Sequence, residues 1–292
     1  MRLEDIDRRA FATLTVGAAL SCAPAWAATP DPELAALERR VGGRLGFAAL
    51  DTGSGQRIAH RADERFPLCS TFKWLAAAAV LARVDSGAER LDRRVTYGKA
   101  DLLAVSPITG AHVGEGLSVA DLCAAAVTVS DNTAANLLLA SLGGPAGLTR
   151  WLRAQGDAVT RLDRNEPALN SAVAGDPRDT TSPAAAVADL GAFLLGDTLS
   201  NASRARLAAW MTATRTGDKR LRAGLPKGWR VGDKTGTGAH GSSNDVAIAW
   251  PPSGKPILIA AYLTGGAASG EAREAAIADL GRLVGARFGR LR

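Results

Sequence analysis

The chain has 292 residues, 47% hydrophobic and 22% charged, an ordinary globular balance that can bury a large core in one or two compact domains. Its formal charge of +6 comes from dispersed Lys and Arg, and only two Tyr and six Phe are available for base stacking, which argues against nucleic acid as a partner. His60, His112 and His240 lie far apart with no second ligand beside them, so no metal and no cofactor is expected.

Residues 1–27 read as an export leader. Arg8-Arg9-Ala10 precedes the apolar run Phe11–Leu20, and Ala25-Trp26-Ala27 offers the small residues of a cleavage site, so the mature chain is expected to begin near Ala28. The Arg pair leaves the twin-arginine and general export routes both open, and Leu20-Ser21-Cys22 leaves open a lipid anchor at Cys22. Either way the reading is a periplasmic or secreted protein. The apolar run is too short to span a bilayer and no later run replaces it, so no membrane span is expected.

Asp31-Pro32-Glu33 opens a helix to about Arg40, followed by a strand at Arg44–Leu50, a turn through Asp51-Thr52-Gly53-Ser54-Gly55 and a short strand at Arg57–His60. From Ser70 to about Thr212 the signals turn helical. Thr71–Arg83 is one helix; Ser118 and Asp121 form a capping box before Val119–Val129; Thr133–Leu142 closes at Gly143-Gly144; Ser182-Pro183 starts another. Strand patterns return at Trp229–Lys234, Val246–Trp250 and Ile257–Thr264, before a last helix from about Gly270 to Phe288. The order predicts a mixed α/β fold of the α+β kind. A sheet domain of residues 28–65 and 213–292 would be built from both ends, with a helical domain of residues 66–212 inserted into it. The chain crosses that boundary twice, which makes a cleft where a ligand can sit.

Three strings fall around the expected cleft. Ser70-Thr71-Phe72-Lys73 places a hydroxyl and an amine one helical turn apart, so the two share a face and can exchange a proton. Ser130-Asp131-Asn132 lies in the tight link between two helices, and Lys234-Thr235-Gly236 lies on a strand pattern. A fourth string, Glu166-Pro167-Ala168-Leu169-Asn170, sits inside a 16-residue segment, 164–179, that has the length of an Ω-loop and opposite charges, Arg164 and Asp179, at its ends. Glu166 and Asn170 are four apart, a spacing that lets both hold one water if the segment makes a turn. Cys69 and Cys123 remain after the leader; export permits a disulfide between them, but their helical settings favour free, packed thiols.

In this order the strings resemble those of a class A serine β-lactamase, and the resemblance runs over nearly all of the chain after the leader. It implies the serine β-lactamase and D,D-peptidase fold, an antiparallel sheet flanked by helices with the helical domain inserted. It also implies hydrolysis of penicillins and cephalosporins by a protein expected to work as a monomer. Ser70 would be the nucleophile, its N–H and that of Thr237 forming the oxyanion hole. Lys73 would relay protons and Ser130 would pass one to the departing ring nitrogen. Lys234, Thr235 and Thr237, on the strand with Gly236, would hold the substrate carboxylate, and Asn132 the acyl side-chain amide. Glu166 and Asn170 would hold the water that releases the product.

The chain departs from the family at the pocket rim. Val105 stands where an aromatic is common, and Ser243 where many members have Arg, with Arg220 as the alternative donor. Cys69 lacks the second Cys some relatives carry, because Gly238 is there, and Cys123 faces Ala77 in place of a partner. A penicillin-binding D,D-peptidase, or an inert β-lactam sensor acylated at Ser70, shares the first three strings; the Glu166–Asn170 string argues for the hydrolase.

Overall fold

The structure, a computed structural model, describes Trp26 and residues 31–289. The rest of the expected leader, Cys22 and the expected mature start at Ala28 lie outside the described residues.

Helix α1 (Pro32–Val41) begins where the Asp31 carboxylate accepts the N–H groups of Glu33 and Leu34 at 3.0 and 3.4 Å, with Pro32 in the first turn. Strands β1 (Arg44–Asp51) and β2 (Arg57–His60) form the expected hairpin. The helical block follows: α2 (Phe72–Asp85), α3 (Val119–Thr128), α4 (Asn132–Ser141), α5 (Gly144–Ala154), α6 (Pro183–Leu194) and α7 (Asn201–Thr212). After the one-turn α8 (Leu221–Gly224) come β3 (Arg230–Thr237), β4 (Ser243–Trp250), β5 (Ile257–Thr264) and α9 (Gly270–Phe288).

The five strands make one antiparallel sheet in the order β2-β1-β5-β4-β3. Both faces are covered, which is why β5 reads as an unbroken apolar run and not as an alternation. On one face Phe47, Ile259, Leu263 and Ala247 pack with Leu34 of α1 and Ile277, Leu280 and Val284 of α9. On the other, Ala48, Ile248, Leu258 and Tyr262 pack with Trp74, Val187 and Phe193 of the helical block. Each of these buried Leu, Ile, Val and Phe side chains contributes about 1.5–3 kcal/mol, so the sheet is held from both sides. Among the described residues no helix is long and apolar enough to cross a membrane.

Two strands run further than their apolar pattern. β3 continues past Lys234 through Thr235, Gly236 and Thr237, and β4 starts at Ser243, because Thr237 pairs with Ser243, Gly236 with Asn244 and Thr235 with Asp245. Ladder hydrogen bonds decide here over residue preference. The nucleophile helix likewise starts later than the pattern suggests: Cys69–Thr71 is a 3₁₀ turn and α2 begins at Phe72. At α3 the Ser118 hydroxyl accepts the Asp121 N–H at 3.1 Å, as the capping signal predicts. Gly143, at φ +84°, ends α4, and α5 begins at the next residue.

Candidate active site

Ser70 sits in the 3₁₀ turn that feeds α2, between the sheet edge and the helices. Its neighbour Cys69 has φ +46°, a strained conformation for a non-glycine residue. β3 lies hard against this turn. A Cβ at Gly236 would come within 2.9 Å of the Leu68 carbonyl, and one at Gly238 within 2.6 Å of the Cys69 sulfur. Glycine at both positions lets the strand close on the nucleophile. Cys69 and Cys123 are buried and free, and burial pushes the Cys69 thiol up to about 12, which keeps it inert.

The Ser70 hydroxyl donates to Glu166 Oε1 at 3.1 Å, and Lys73 Nζ lies 3.1 Å from the same oxygen. The shared face of Ser70 and Lys73 therefore closes on a carboxylate from another part of the chain. Lys73 and the Glu166 side chain are both sealed from solvent, and Lys73 Nζ also donates to Asn132 Oδ1 at 2.6 Å, the Ser130 carbonyl at 2.8 Å and Ser130 Oγ at 3.2 Å. Burial lowers the Lys73 ammonium from its ordinary pKa, and the Glu166 charge works the other way. A buried ammonium with a lowered pKa is a better proton shuttle than a surface lysine.

Ser130-Asp131-Asn132 is held by Asp131. Its buried carboxylate accepts the N–H groups of Ile108, Thr109 and Ala134 and the Thr109 hydroxyl, at 2.8–3.0 Å, and so caps α4 while pinning the loop that carries Val105. Ser130 has φ +60° and Val105 also has φ +60°. Val105 is 65% exposed on the rim. From β3, Lys234 Nζ donates to Ser130 Oγ at 3.1 Å and to the Thr235 carbonyl at 2.9 Å. Complete burial, with Lys73 nearby, lowers the Lys234 ammonium to about 7.

Segment 164–179 is clamped at its ends as its charges suggest. Arg164 Nε donates to Asp179 Oδ2 at 2.5 Å, and Asp179 Oδ1 accepts the N–H groups of Asp163 and Arg164 at 2.7 and 2.9 Å. Ala168–Ser171 forms a 3₁₀ turn with Leu169 buried beneath it. That turn brings Asn170 Nδ2 to 2.5 Å from Glu166 Oε2, so the two side chains predicted to share a water touch directly.

Arg220, the alternative carboxylate donor that the resemblance implies, is buried. Its Nη1 donates to the carbonyls of Gly236 and Asn244 at 2.8 and 2.7 Å, and its Nη2 to Thr237 Oγ1 at 2.7 Å. Ser243 accepts from Arg273 Nε at 3.0 Å. All eleven predicted residues thus gather along one cleft between β3, the start of α2, the α3–α4 link and segment 164–179. Sequence reasoning missed Asn136. Its side chain accepts the Glu166 N–H and donates to the Glu166 carbonyl, both at 3.0 Å. The available signal was an amide one turn after Asn132, on the same face of an otherwise apolar helix.

Fold and site together define the class of serine β-lactamases and D,D-peptidases, with the buried Glu166 carboxylate and the Asn170 amide added to the shared nucleophile, lysine and hydroxyls. A family model described as "Beta-lactamase enzyme family" matches residues 29–288. Beta-lactamase L2 of Stenotrophomonas maltophilia is 50% identical over 92% of this chain and 89% of its own length. Beta-lactamase AST-1 of Nocardia asteroides is 51% identical over 88% of this chain and 83% of its own. Among solved structures, an ancestral class A β-lactamase superposes with a TM-score of 0.87 at 64% identity, covering 88% of this chain and 99% of that one. A putative class A β-lactamase, PenP from Rhodopseudomonas palustris, gives 0.87 at 57%, covering 88% and 98%. The chain belongs to the β-lactamase enzyme family and is a class A serine β-lactamase. It hydrolyses the β-lactam amide of penicillins and cephalosporins, the activity behind resistance to these drugs.

Proposed function

We propose that Ser70 attacks the β-lactam carbonyl while the Lys73–Glu166 pair takes its proton. The developing oxyanion is held by the N–H groups of Ser70 and Thr237. Ser130, which accepts from both Lys73 and Lys234, hands its proton to the ring nitrogen as the amide bond breaks and takes back through Lys73 the proton removed from Ser70, which leaves Glu166 ionised for the next step. Lys234, Thr235, Thr237 and Arg220 hold the substrate carboxylate beside Gly236, and Asn132 binds the acyl amide. The Ser70 ester is then cleaved by a water that Glu166 deprotonates and Asn170 helps to orient, and the proton passes from Glu166 to Ser70 Oγ as the ester bond breaks. No cofactor enters any step. The supporting observation is a single carboxylate oxygen, Glu166 Oε1, 3.1 Å from both Ser70 Oγ and Lys73 Nζ, with Asn170 on the other oxygen. The reaction takes place in the periplasm or outside the cell, with residues 1–27 as export leader. The protein acts there as a monomer whose sheet lobe is residues 28–65 and 213–292 and whose helical lobe is residues 66–212.

The test is Glu166→Ala. General-base assistance contributes about 10²–10⁴-fold, so ester hydrolysis slows by at least that order while acylation suffers less. Intact-protein mass spectrometry seconds after mixing with penicillin should show one added drug mass, on the peptide containing Ser70. Free turnover by the mutant with no adduct would remove Glu166 from the mechanism. A wild-type protein that itself traps the drug would instead be a penicillin-binding protein.

A further inference from the structure

Three hydroxyls face the place assigned to the substrate carboxylate, and two have a cationic donor behind them. Ser130 Oγ accepts from Lys73 and Lys234, and Thr237 Oγ1 accepts from Arg220 at 2.7 Å. A hydroxyl has one proton, so one that accepts from a cation must aim that proton elsewhere, here toward the anion. The Thr235 hydroxyl has a neutral partner and not a cation. Its Oγ1 lies 2.6 Å from the hydroxyl of Thr216, a residue outside every motif in the sequence.

Thr216 is exposed, in the loop between α7 and α8, yet that loop is pinned on both sides of it. Thr214 Oγ1 donates to the Asp233 carbonyl of β3 at 2.6 Å, and the Arg215 N–H to the Thr128 carbonyl at 2.9 Å. Gly217 lies so close to Asp233 that a Cβ there would sit 2.0 Å from its carboxylate. The Thr216 hydroxyl is therefore held in place against Thr235.

We infer that Thr216 is a positioning residue for substrate binding: it donates its hydroxyl proton to Thr235 Oγ1, so that Thr235 presents its own proton to the substrate carboxylate. The opposite orientation would turn a Thr235 lone pair toward an anion, and a bound carboxylate selects against it. The donated bond also polarises the Thr235 O–H and strengthens the bond it makes in turn. This inference rests on the proposed role of Thr235.

The experiment compares benzylpenicillin with its methyl ester, which lacks the charge, in wild type, Thr216→Val, Thr216→Ser, Thr235→Val and the Val/Val double variant. A neutral hydrogen bond of this kind is expected to change the ratio of kcat/KM for acid over ester by about two- to tenfold. Thr216→Val should lower that ratio by this factor, mainly through KM for the acid, while Thr216→Ser keeps the wild-type ratio. In the Thr235→Val background the second change should add nothing, since the two act through one bond. Equal losses on acid and ester, or no loss, in Thr216→Val would overturn the inference. If Thr235→Val lowers the ratio and Thr216→Val does not, only Thr216 loses its role. If Thr235→Val leaves the ratio at the wild-type value, the carboxylate role of Thr235 fails and that of Thr216 falls with it.

Discussion

Arg220→Ala removes the guanidinium that backs the proposed carboxylate site. Arg220 is 6% exposed and makes three hydrogen bonds at 2.7–2.8 Å, one of them to the Thr237 hydroxyl. A hydrogen bond involving a charged group contributes about 1.5–3 kcal/mol, which corresponds to about 10- to 150-fold in kcat/KM. The other two bonds tie Gly236 of β3 to Asn244 of β4, and Glu274 pairs with Arg220 from α9 at 3.8 Å. Their loss lowers stability as well as activity. Steady-state kinetics on a penicillin must therefore be referred to the folded, titratable fraction, with Tm measured alongside. Placing Arg at Ser243 in the same variant should restore part of the activity, because Ser243 pairs directly with Thr237 across the ladder. An unchanged kcat/KM on correctly folded Arg220→Ala would refute the reasoning and leave Lys234 as the sole cation for the carboxylate.

Two further outcomes follow from buried carboxylates. Asp179 is completely buried and its clamp on Arg164 is not a surface pair, so Asp179→Asn should loosen segment 164–179 by about 1.5–3 kcal/mol. The readouts are faster limited proteolysis within 164–179 and lower penicillin turnover; unchanged values of both would show that the pair does not hold the loop. On α6, burial raises the Asp189 carboxyl well above its ordinary 3.8, with the neighbouring Asp157 carboxylate adding to the effect. Since the folded state then binds the proton more tightly than the unfolded chain, this group's contribution is fully present below about pH 4 and is lost as pH rises toward the folded pKa. Asp189→Asn should accordingly raise Tm at pH 7 and leave it near wild type at pH 4; a Tm gap independent of pH would show that Asp189 does not titrate in this way.

What the sequence made legible followed from local rules. Asp31, Ser118 and Ser182 each mark a helix start because one side-chain oxygen satisfies an orphan N–H two or three residues on, and all three cap as expected. β5 and α9 were readable to the residue because their apolar pattern is long and continuous. The polar ends of β3 and β4 were not, because Gly236, Ser243, Asn244 and Asp245 are held in the sheet by partners across the ladder and have little strand preference of their own. In the site, residues in tight strings could be recognised. Asn136 and Thr216 act by touching a residue 30 or 19 positions away; the helix spacing from Asn132 marks the Asn136 amide but not its partner, and nothing local marks Thr216.

The same distinction explains how the site tolerates so much buried charge. Lys73, Lys234, Glu166 and Asp131 lie within one cleft, and each would be costly to bury alone. Each is met by partners from a different stretch of chain: Lys73 by Asn132 and Glu166, Lys234 by Ser130 and Thr235, Asp131 by Ile108, Thr109 and Ala134. The strained backbones at Cys69, Val105 and Ser130 lie in these same stretches, where surrounding bonds can hold a conformation that local preference opposes. Glu166 comes from the long segment 164–179, so its position depends on the Arg164–Asp179 clamp at the segment ends and on Asn136 gripping its own backbone. A carboxylate held by its main chain keeps both oxygens free, one for Ser70 and Lys73 and the other for Asn170, the two sides on which the proposed deacylation draws.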